Sequence, residues 1–435
     1  MTTVAEVRLW GRTIGAVSLA AGETVARFEY TSEFAASGIQ PAPLTMPLSR
    51  RVYSFPELGH ECFHGLPGLL ADSLPDRFGQ ALVNAWLATQ GRPPDSLNAV
   101  ERLCYTGRRG MGALEFEPAT GPDAGKAAAL EVGELVRLAS DILTRRNSLA
   151  TSFALDGRER AMRDILRVGT SAGGARAKAL IAWNRETNEV RSGQLHAGPG
   201  FEHWLLKFDG VTGNRDRELD DPAGFGAVEY AYALMAQAAG IYMSECRLFE
   251  EGGRQHFMTR RFDRRTDGEK IHMQSLGAMA HFDYNLAGAW SYEQALATMR
   301  RLDLPADSLE EQFRRMVFNI MARNQDDHVK NIAFLMDKSG RWSLAPAFDL
   351  TYSYNPQGDW TAAHQMTLNG KRDEFKPDDF EACARTASLQ QSRARHIVRE
   401  VADAVKRWPE FANEAGIPAA TRNAIHASLR LDLTP

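Results

Sequence analysis

Cysteine is scarce, and its spacing carries no motif. Cys62, Cys104, Cys246 and Cys383 lie far apart with no CxxC pair, which argues against a zinc site or a disulfide framework. Each is expected to be a small buried apolar thiol in a reducing compartment. Long apolar runs are also missing. No stretch reaches the ~18 apolar residues that a membrane span needs. The N-terminal MTTVAEVRLWGRTIG has no apolar core of signal-peptide type, so a cytoplasmic location without membrane contact is expected. Excess positive charge is absent, the net charge being −4. A free-standing nucleic-acid binder would need basic residues to replace phosphate counterions, although local basic patches exist, the run RRFDRR (260–265) being one. Internal repeats and low-complexity tracts are absent too.

What remains is an ordinary globular composition, 44% apolar and 24% charged over 435 residues. That length exceeds what one hydrophobic core usually serves, so two or three domains are expected. Residues 4–31 alternate in polarity around Gly11 and read as an antiparallel meander. Residues 66–90 read as helical and stop at Gly91, so the first ~115 residues make a small α+β unit. EPATGPDAGKAA (117–128) is the linker candidate. A helix follows over 130–146, then a glycine-rich turn into a strand (166–184), then a strand over 201–210. Residues 227–240 are apolar nearly all round and read as a buried helix ending at Gly240. Helices dominate from about residue 285. In DSLEEQFRRMVFNIMARNQ, Ser308 and Glu311 have capping-box spacing, and Leu309, Phe313, Met316, Val317 and Ile320 share one face.

Directly after that helix, NQDDHVKN (324–331) crowds two aspartates, a histidine, a lysine and two asparagines into eight positions. IAFLM and RWSLAPAFDL then frame a turn at Gly340, predicting a hairpin. With the turn centred near Lys338–Ser339, Asn331 faces about Pro346, and Asn331 and Asp349 emerge at the same end. Two hard oxygen ligands with open positions suit Mg²⁺ carrying a phosphate. Asp326 precedes Asn331 by five residues, the D-x-x-x-x-N spacing of a kinase catalytic loop: a base for the attacking hydroxyl, then a metal ligand. Lys330 is placed to neutralise charge on a transferring phosphoryl group, and His328 to fix the loop by hydrogen bonds. The remaining parts stand upstream in order. TSAGGARAK (170–178) offers Ser171, Ala172, Gly173 and Gly174, small residues whose backbone N–H groups can face phosphate. Lys207 in WLLKF, a strand lysine among apolar residues, wants a partner. Glu229 on the apolar helix is the candidate.

TSAGGARAKAL, VEYAYALMAQAAGI, RRFDR, NQDDHVKN and APAFDL, together with LTMPLSRR (44–51), resemble the HipA family of serine/threonine kinase toxins. The resemblance spans nearly the whole chain. It implies an α+β, two-lobed, protein-kinase-like fold: a HipA-type N-terminal subdomain over 1–117, a kinase N-lobe-like region with the phosphate loop over 130–265, and a mainly helical C-lobe with the catalytic loop over 266–435. It further implies ATP and Mg²⁺ as cofactors, Asp326 as catalytic aspartate, Asn331 and Asp349 as metal ligands, and Lys207 as the ATP-phosphate lysine. Ser171, seven residues before Lys178, matches the family's autophosphorylated serine; about two added negative charges there would eject the loop. The adenine hinge falls near TRRFDR, where Phe262 can stack on the base, but Arg260 stands where some relatives carry glutamate. Asp327 has no assigned role. Expected partners are a HipB-type helix-turn-helix antitoxin, DNA only through that antitoxin, and a protein substrate such as an aminoacyl-tRNA synthetase.

Two other readings fit the residues. The same lobes serve small-molecule kinases. A nucleotide-binding corepressor, with Arg260–Arg265 touching operator phosphate, would need no catalysis, although a solvated charged face explains that run more simply.

Overall fold

The computed structural model describes residues 2–121, 130–144, 164–166, 168, 176–194, 197–211, 215–216, 219–220, 224–265 and 268–434. The chain opens with the expected meander: β1 (Thr3–Leu9), β2 (Arg12–Leu19) and β3 (Arg27–Tyr30). β4 (Leu114–Glu117) returns to pair with β1, giving the order β3-β2-β1-β4. Period-two alternation turns Ala5, Val7 and Leu9 of β1 inward. They pack against Phe28, Phe34, Leu69, Leu70 and Leu103 in a first core.

Helix Arg77–Thr89 leaves that core. Its Phe78, Leu82 and Ala85 pack instead with Leu135, Ala139 and Ile142 of helix Val132–Thr144, against the second sheet. Sequence periodicity shows which face of a helix is apolar but not which core receives it, so the first ~115 residues do not close on themselves.

The second sheet is antiparallel, built from β5 (Lys178–Trp183), β6 (Val190–Ser192), β7 (Glu202–Lys207), β10 (Cys246–Glu251) and β11 (Arg254–Arg260) in the order β10-β11-β7-β5-β6. Between β7 and β10 come a minimal hairpin, β8 (Arg215–Asp216) and β9 (Leu219–Asp220), and helix Phe225–Ala238. That helix is buried on nearly every side and belongs to the large helical core. Its first turn is tied to the end of β7: the Asp209 carboxylate accepts from the Gly224 N–H at 2.9 Å and the Gly226 N–H at 3.4 Å.

A third sheet, β12 (His272–Ser275), β13 (Ala333–Met336) and β14 (Trp342–Leu344), carries the hairpin predicted around Gly340. Its register pairs Phe334 with Leu344 and Met336 with Trp342. Continuing the ladder sets Asn331 against Ala347, one residue beyond the expected Pro346. Helix Ala306–Met321 buries Leu309, Phe313, Met316, Val317 and Ile320 as its pattern demands. Its start differs from expectation. The helix begins right after Pro305 with no side-chain cap, so Ser308 sits inside the first turn. Glu311 is engaged elsewhere, accepting from the Tyr242 N–H at 3.0 Å and pairing with Arg315 at 2.8 Å. Among the described residues no helix is long and apolar enough to cross a membrane.

Candidate active-site cleft

A cleft of about 1380 Å³ lies between the second sheet, the first-unit helices and the segment after helix Ala306–Met321; Lys178, Lys207, Phe262, Asp326, Asn331 and Asp349 all line it. It exceeds the ~300–1,000 Å³ of a typical single-ligand pocket.

Lys207 is the hub. It lies at the end of β7, an interior strand flanked by β5 and β11. Its Nζ is 2.5 Å from Glu229 Oε1 and 2.5 Å from Asp349 Oδ1. The glutamate comes from the buried helix, 22 residues on, and the aspartate 142 residues on. Burial opposes the Lys207 charge, but Asp349 and Glu229 outweigh it and its pKa rises. Burial also opposes the Asp349 charge, yet Lys207 and then Lys178 hold that carboxyl below its ordinary value. Glu229 is nearly fully buried, and desolvation raises it despite Lys207 and Arg176. Asp349 has φ +53°, a left-handed conformation that aspartate tolerates better than most residues.

Helix Ala306–Met321 ends at Ala322, and the chain turns at Arg323 and passes through Asp326 without regular structure to a single 3₁₀ turn, Val329–Asn331. There the Asn331 Nδ2 donates to the Asp326 carbonyl at 2.9 Å, and its amide oxygen remains an acceptor. The Asp326 Oδ1 accepts from the Trp360 indole at 2.7 Å. Lys330 places its ammonium 4.5 Å over the Tyr284 ring.

His328 departs from expectation. Its Nε2 is 3.9 Å from Asp326 Oδ1, beyond hydrogen-bond reach, and its buried Nδ1 has no hydrogen-bond partner among the described residues. Its ring packs on Tyr284 instead. The loop is fixed by Asp327, the residue without an assigned role. Asp327 is fully buried, its Oδ2 accepting from the Tyr292 hydroxyl at 2.6 Å and His364 Nδ1 at 2.8 Å, its Oδ1 from the Gln365 N–H at 2.7 Å. Burial would raise its pKa, but His364 and these donors hold it lowered.

Phe262 lines the cleft beside Phe348, ring centroids 5.7 Å apart. The arginines of the basic run around it are paired with carboxylates. Buried Asp263 pairs with Arg261 at 2.7 Å and Arg264 at 2.8 Å, and Arg265 pairs with Glu269. Arg260 lies 3.7 Å from Glu202 at the cleft edge. Ser171, Ala172, Gly173 and Gly174 lie outside the described residues.

Sequence reasoning missed one pair. Lys178, buried at the start of β5, is 2.9 Å from Asp76, which also accepts from the Gly79 N–H at 2.6 Å to cap helix Arg77–Thr89. An aspartate three residues before a glycine reads as a helix cap; nothing local says that it also meets a lysine 102 positions away. Among the described residues no group of three or more His, Cys, Asp or Glu is arranged to hold a metal by itself.

The HipA-like C-terminal domain matches residues 170–408 and the HipA N-terminal domain residues 5–117. This chain belongs to the HipA family. Y4mE of Sinorhizobium fredii (strain NBRC 101917 / NGR234), a kinase by name, is 26% identical over 207 residues, 43% of this chain; the match spans about half of that relative, 48% of its length. HipA of Shewanella oneidensis MR-1, solved with HipB and its operator DNA, superposes over 97% of this chain and 94% of its own at TM-score 0.68 and 17% identity. That likeness shows the α+β, kinase-like HipA fold. CtkA of Helicobacter pylori, a proinflammatory kinase, aligns over 53% of this chain and 89% of its own at TM-score 0.34 and 13% identity, too low to argue from.

Proposed function

We propose that this HipA-family, kinase-like chain is an ATP- and Mg²⁺-dependent protein kinase acting on a serine or threonine hydroxyl, and the toxin of a type II toxin–antitoxin pair. One observation carries the reading: Lys207, bridged to Glu229 and Asp349, faces the same cleft as Asp326 and Asn331. A strand lysine, a buried helix glutamate, a base and two oxygen donors are the parts that phosphoryl transfer requires.

In this reading Asp326 takes the hydroxyl proton, Asn331 and Asp349 hold Mg²⁺, and Lys207 meets nucleotide phosphate. Lys330 offsets charge at the cleft, and Phe262 takes the adenine face. Mg²⁺–ATP held by these residues would supply the phosphoryl group and charge neutralisation. Residues 130–265 and 266–435 act as the two lobes, with 1–117 as the family subdomain. Ser171 is the site of self-inactivation, a HipB-type helix-turn-helix protein is the restraining partner, and a translation component such as an aminoacyl-tRNA synthetase is the target class.

The test is transfer of γ-labelled phosphate, first to the chain itself and then to cellular protein. Asp326→Asn should cut label by at least ~10²-fold, the scale of a general base, while ATP still binds. Equal label on both proteins rejects the reading. Label on a metabolite but on no protein replaces it with a small-molecule kinase. Ser171→Ala should abolish self-label and leave transfer to the target intact.

A further inference from the structure

Helix Ala419–Ser428 is followed by Leu429 and then by Arg430, a buried arginine far along the chain from the loop that holds Asp326. The Arg430 backbone N–H donates to the Met321 carbonyl at 3.0 Å, at the end of the helix that leads into that loop. Its Nη1 carries two hydrogens, and two acceptors meet it: the Ile320 carbonyl at 3.0 Å and His364 Nε2 at 2.9 Å. Its Nη2 donates to Asp373. The guanidinium lies 5.3 Å from the centre of the Phe375 ring, and that ring meets His364 edge-on with centroids 5.4 Å apart. Fully buried His364 turns its other nitrogen to Asp327, Nδ1 standing 2.8 Å from Oδ2. One line of side chains, Asp373, Arg430, His364 and Asp327, therefore runs from the half-exposed Asp373 to the residue beside Asp326.

A guanidinium only donates, and an ionised carboxylate only accepts. Between the two the imidazole has one consistent arrangement: Nε2 accepts from Arg430, and Nδ1–H donates to Asp327. A ring held at both nitrogens cannot turn about its Cβ–Cγ bond. Without Arg430, Nε2 is a buried acceptor with no donor, a costly state. The ring escapes it by turning, which takes Nδ1 away from Asp327. The Tyr292 hydroxyl and the Gln365 N–H still hold that carboxylate, so the loop stays attached but sits differently. Any shift of Asp327 is passed to its neighbour Asp326 and, through the hydrogen bond to the Asp326 carbonyl, to Asn331. We propose that Arg430 is a positioning residue for the loop that carries Asp326 and Asn331: its guanidinium fixes the His364 ring, and the ring fixes Asp327. This inference rests on the kinase reading above and adds a residue to it.

In the full-length protein, Arg430→Met should lower kcat for phosphoryl transfer by about 10–100-fold, the scale of a misplacement near 1 Å. The KM for ATP should stay within about threefold, since Lys207 and Phe262 lie on other elements. A double-mutant cycle separates the route through His364 from support of the helix end. His364→Asn keeps a donor for Asp327 and removes the acceptor that Arg430 meets. In that background Arg430→Met should lower kcat by no more than about twofold further. The full loss in both backgrounds would mean that Arg430 acts through Ile320 and Met321 alone, and that overturns the proposal; so does an unchanged kcat in Arg430→Met. A second measurement needs no activity. At one fixed pH, the imidazole N–H resonance that is absent in His364→Asn should be sharp in the wild type and lost to solvent exchange in Arg430→Met. A resonance that persists unchanged in Arg430→Met also overturns the proposal. Should Arg430→Met fail to fold, Arg430→Lys keeps a charge beside Asp373 without the guanidinium fork and serves in both measurements with the same expectations. Should the wild type transfer no phosphate while the resonance still depends on Arg430, the clamp on the loop stands and the kinase reading is what falls.

Discussion

Lys178 and Lys207 sit directly opposite each other on the paired strands β5 and β7. Like charges in that position repel. Each is neutralised from a different part of the chain: Lys178 by Asp76 of the first unit, and Lys207 by Glu229 and Asp349 of the helical core. The floor of the cleft is therefore two lysines held side by side by three carboxylates drawn from distant segments.

Asp76→Ala should be costly well beyond a lost helix cap. The substitution removes the buried ion pair of Asp76 with Lys178 at 2.9 Å, and breaking a buried pair from one side costs about 3–5 kcal/mol. Asp76→Asn keeps the cap acceptor and should cost less. Urea denaturation of the three proteins checks the order; equal midpoints for Asp76→Ala and wild type would contradict it.

Lys207→Met should lose ATP affinity by at least tenfold and lose stability by about 3 kcal/mol at pH 8. Its stability should be pH-dependent in a set direction. Burial raises Glu229 in the fold, so the folded state binds its proton more readily than the unfolded chain does. Stability attributable to that group therefore grows as pH falls through the raised folded value and is fully present below the ordinary carboxylate value. The deficit of Lys207→Met should shrink between pH 8 and pH 5; a constant deficit would argue that Glu229 is not left uncompensated.

Asp327 should behave in the opposite sense. Its folded pKa is lowered, so its contribution is present above the unfolded value of about 3.9 and is lost as pH falls through the folded value. Asp327→Asn should cost about 2–4 kcal/mol at pH 7, since Tyr292, His364 and the Gln365 N–H all lose a charged acceptor. It should also flatten the stability profile below pH 4. A denaturant series across pH 3–7 reads both effects, and an unchanged slope in acid would refute the assignment.

Two serines give a paired control on helix capping. Ser291 accepts from the Gln294 N–H at 3.1 Å in a formed capping box, so Ser291→Ala should cost about 1 kcal/mol. Ser308 caps nothing, and Ser308→Ala should stay within about 0.5 kcal/mol of wild type. Thermal melts of both variants suffice, and equal losses would show the helix start to be misplaced.

The sequence by itself determined many of the strands and helices, which faces are apolar, and the order of Lys207, Glu229, Asp326, Asn331 and Asp349 along the chain. Local periodicity and turn chemistry encode these, and the Gly340 hairpin brings Asn331 and Asp349 to one end through short-range geometry alone. Only the tertiary structure decided that Asp327 rather than His328 anchors the loop, that Asp263 pairs with Arg261 and Arg264, and that Trp360 and Asp76 reach Asp326 and Lys178. Each of these depends on side chains far apart in the chain meeting where water is excluded. Which donor meets which acceptor there is set by how whole elements pack, and helix Arg77–Thr89, which joins the second core rather than the first, is the element whose placement no local pattern records.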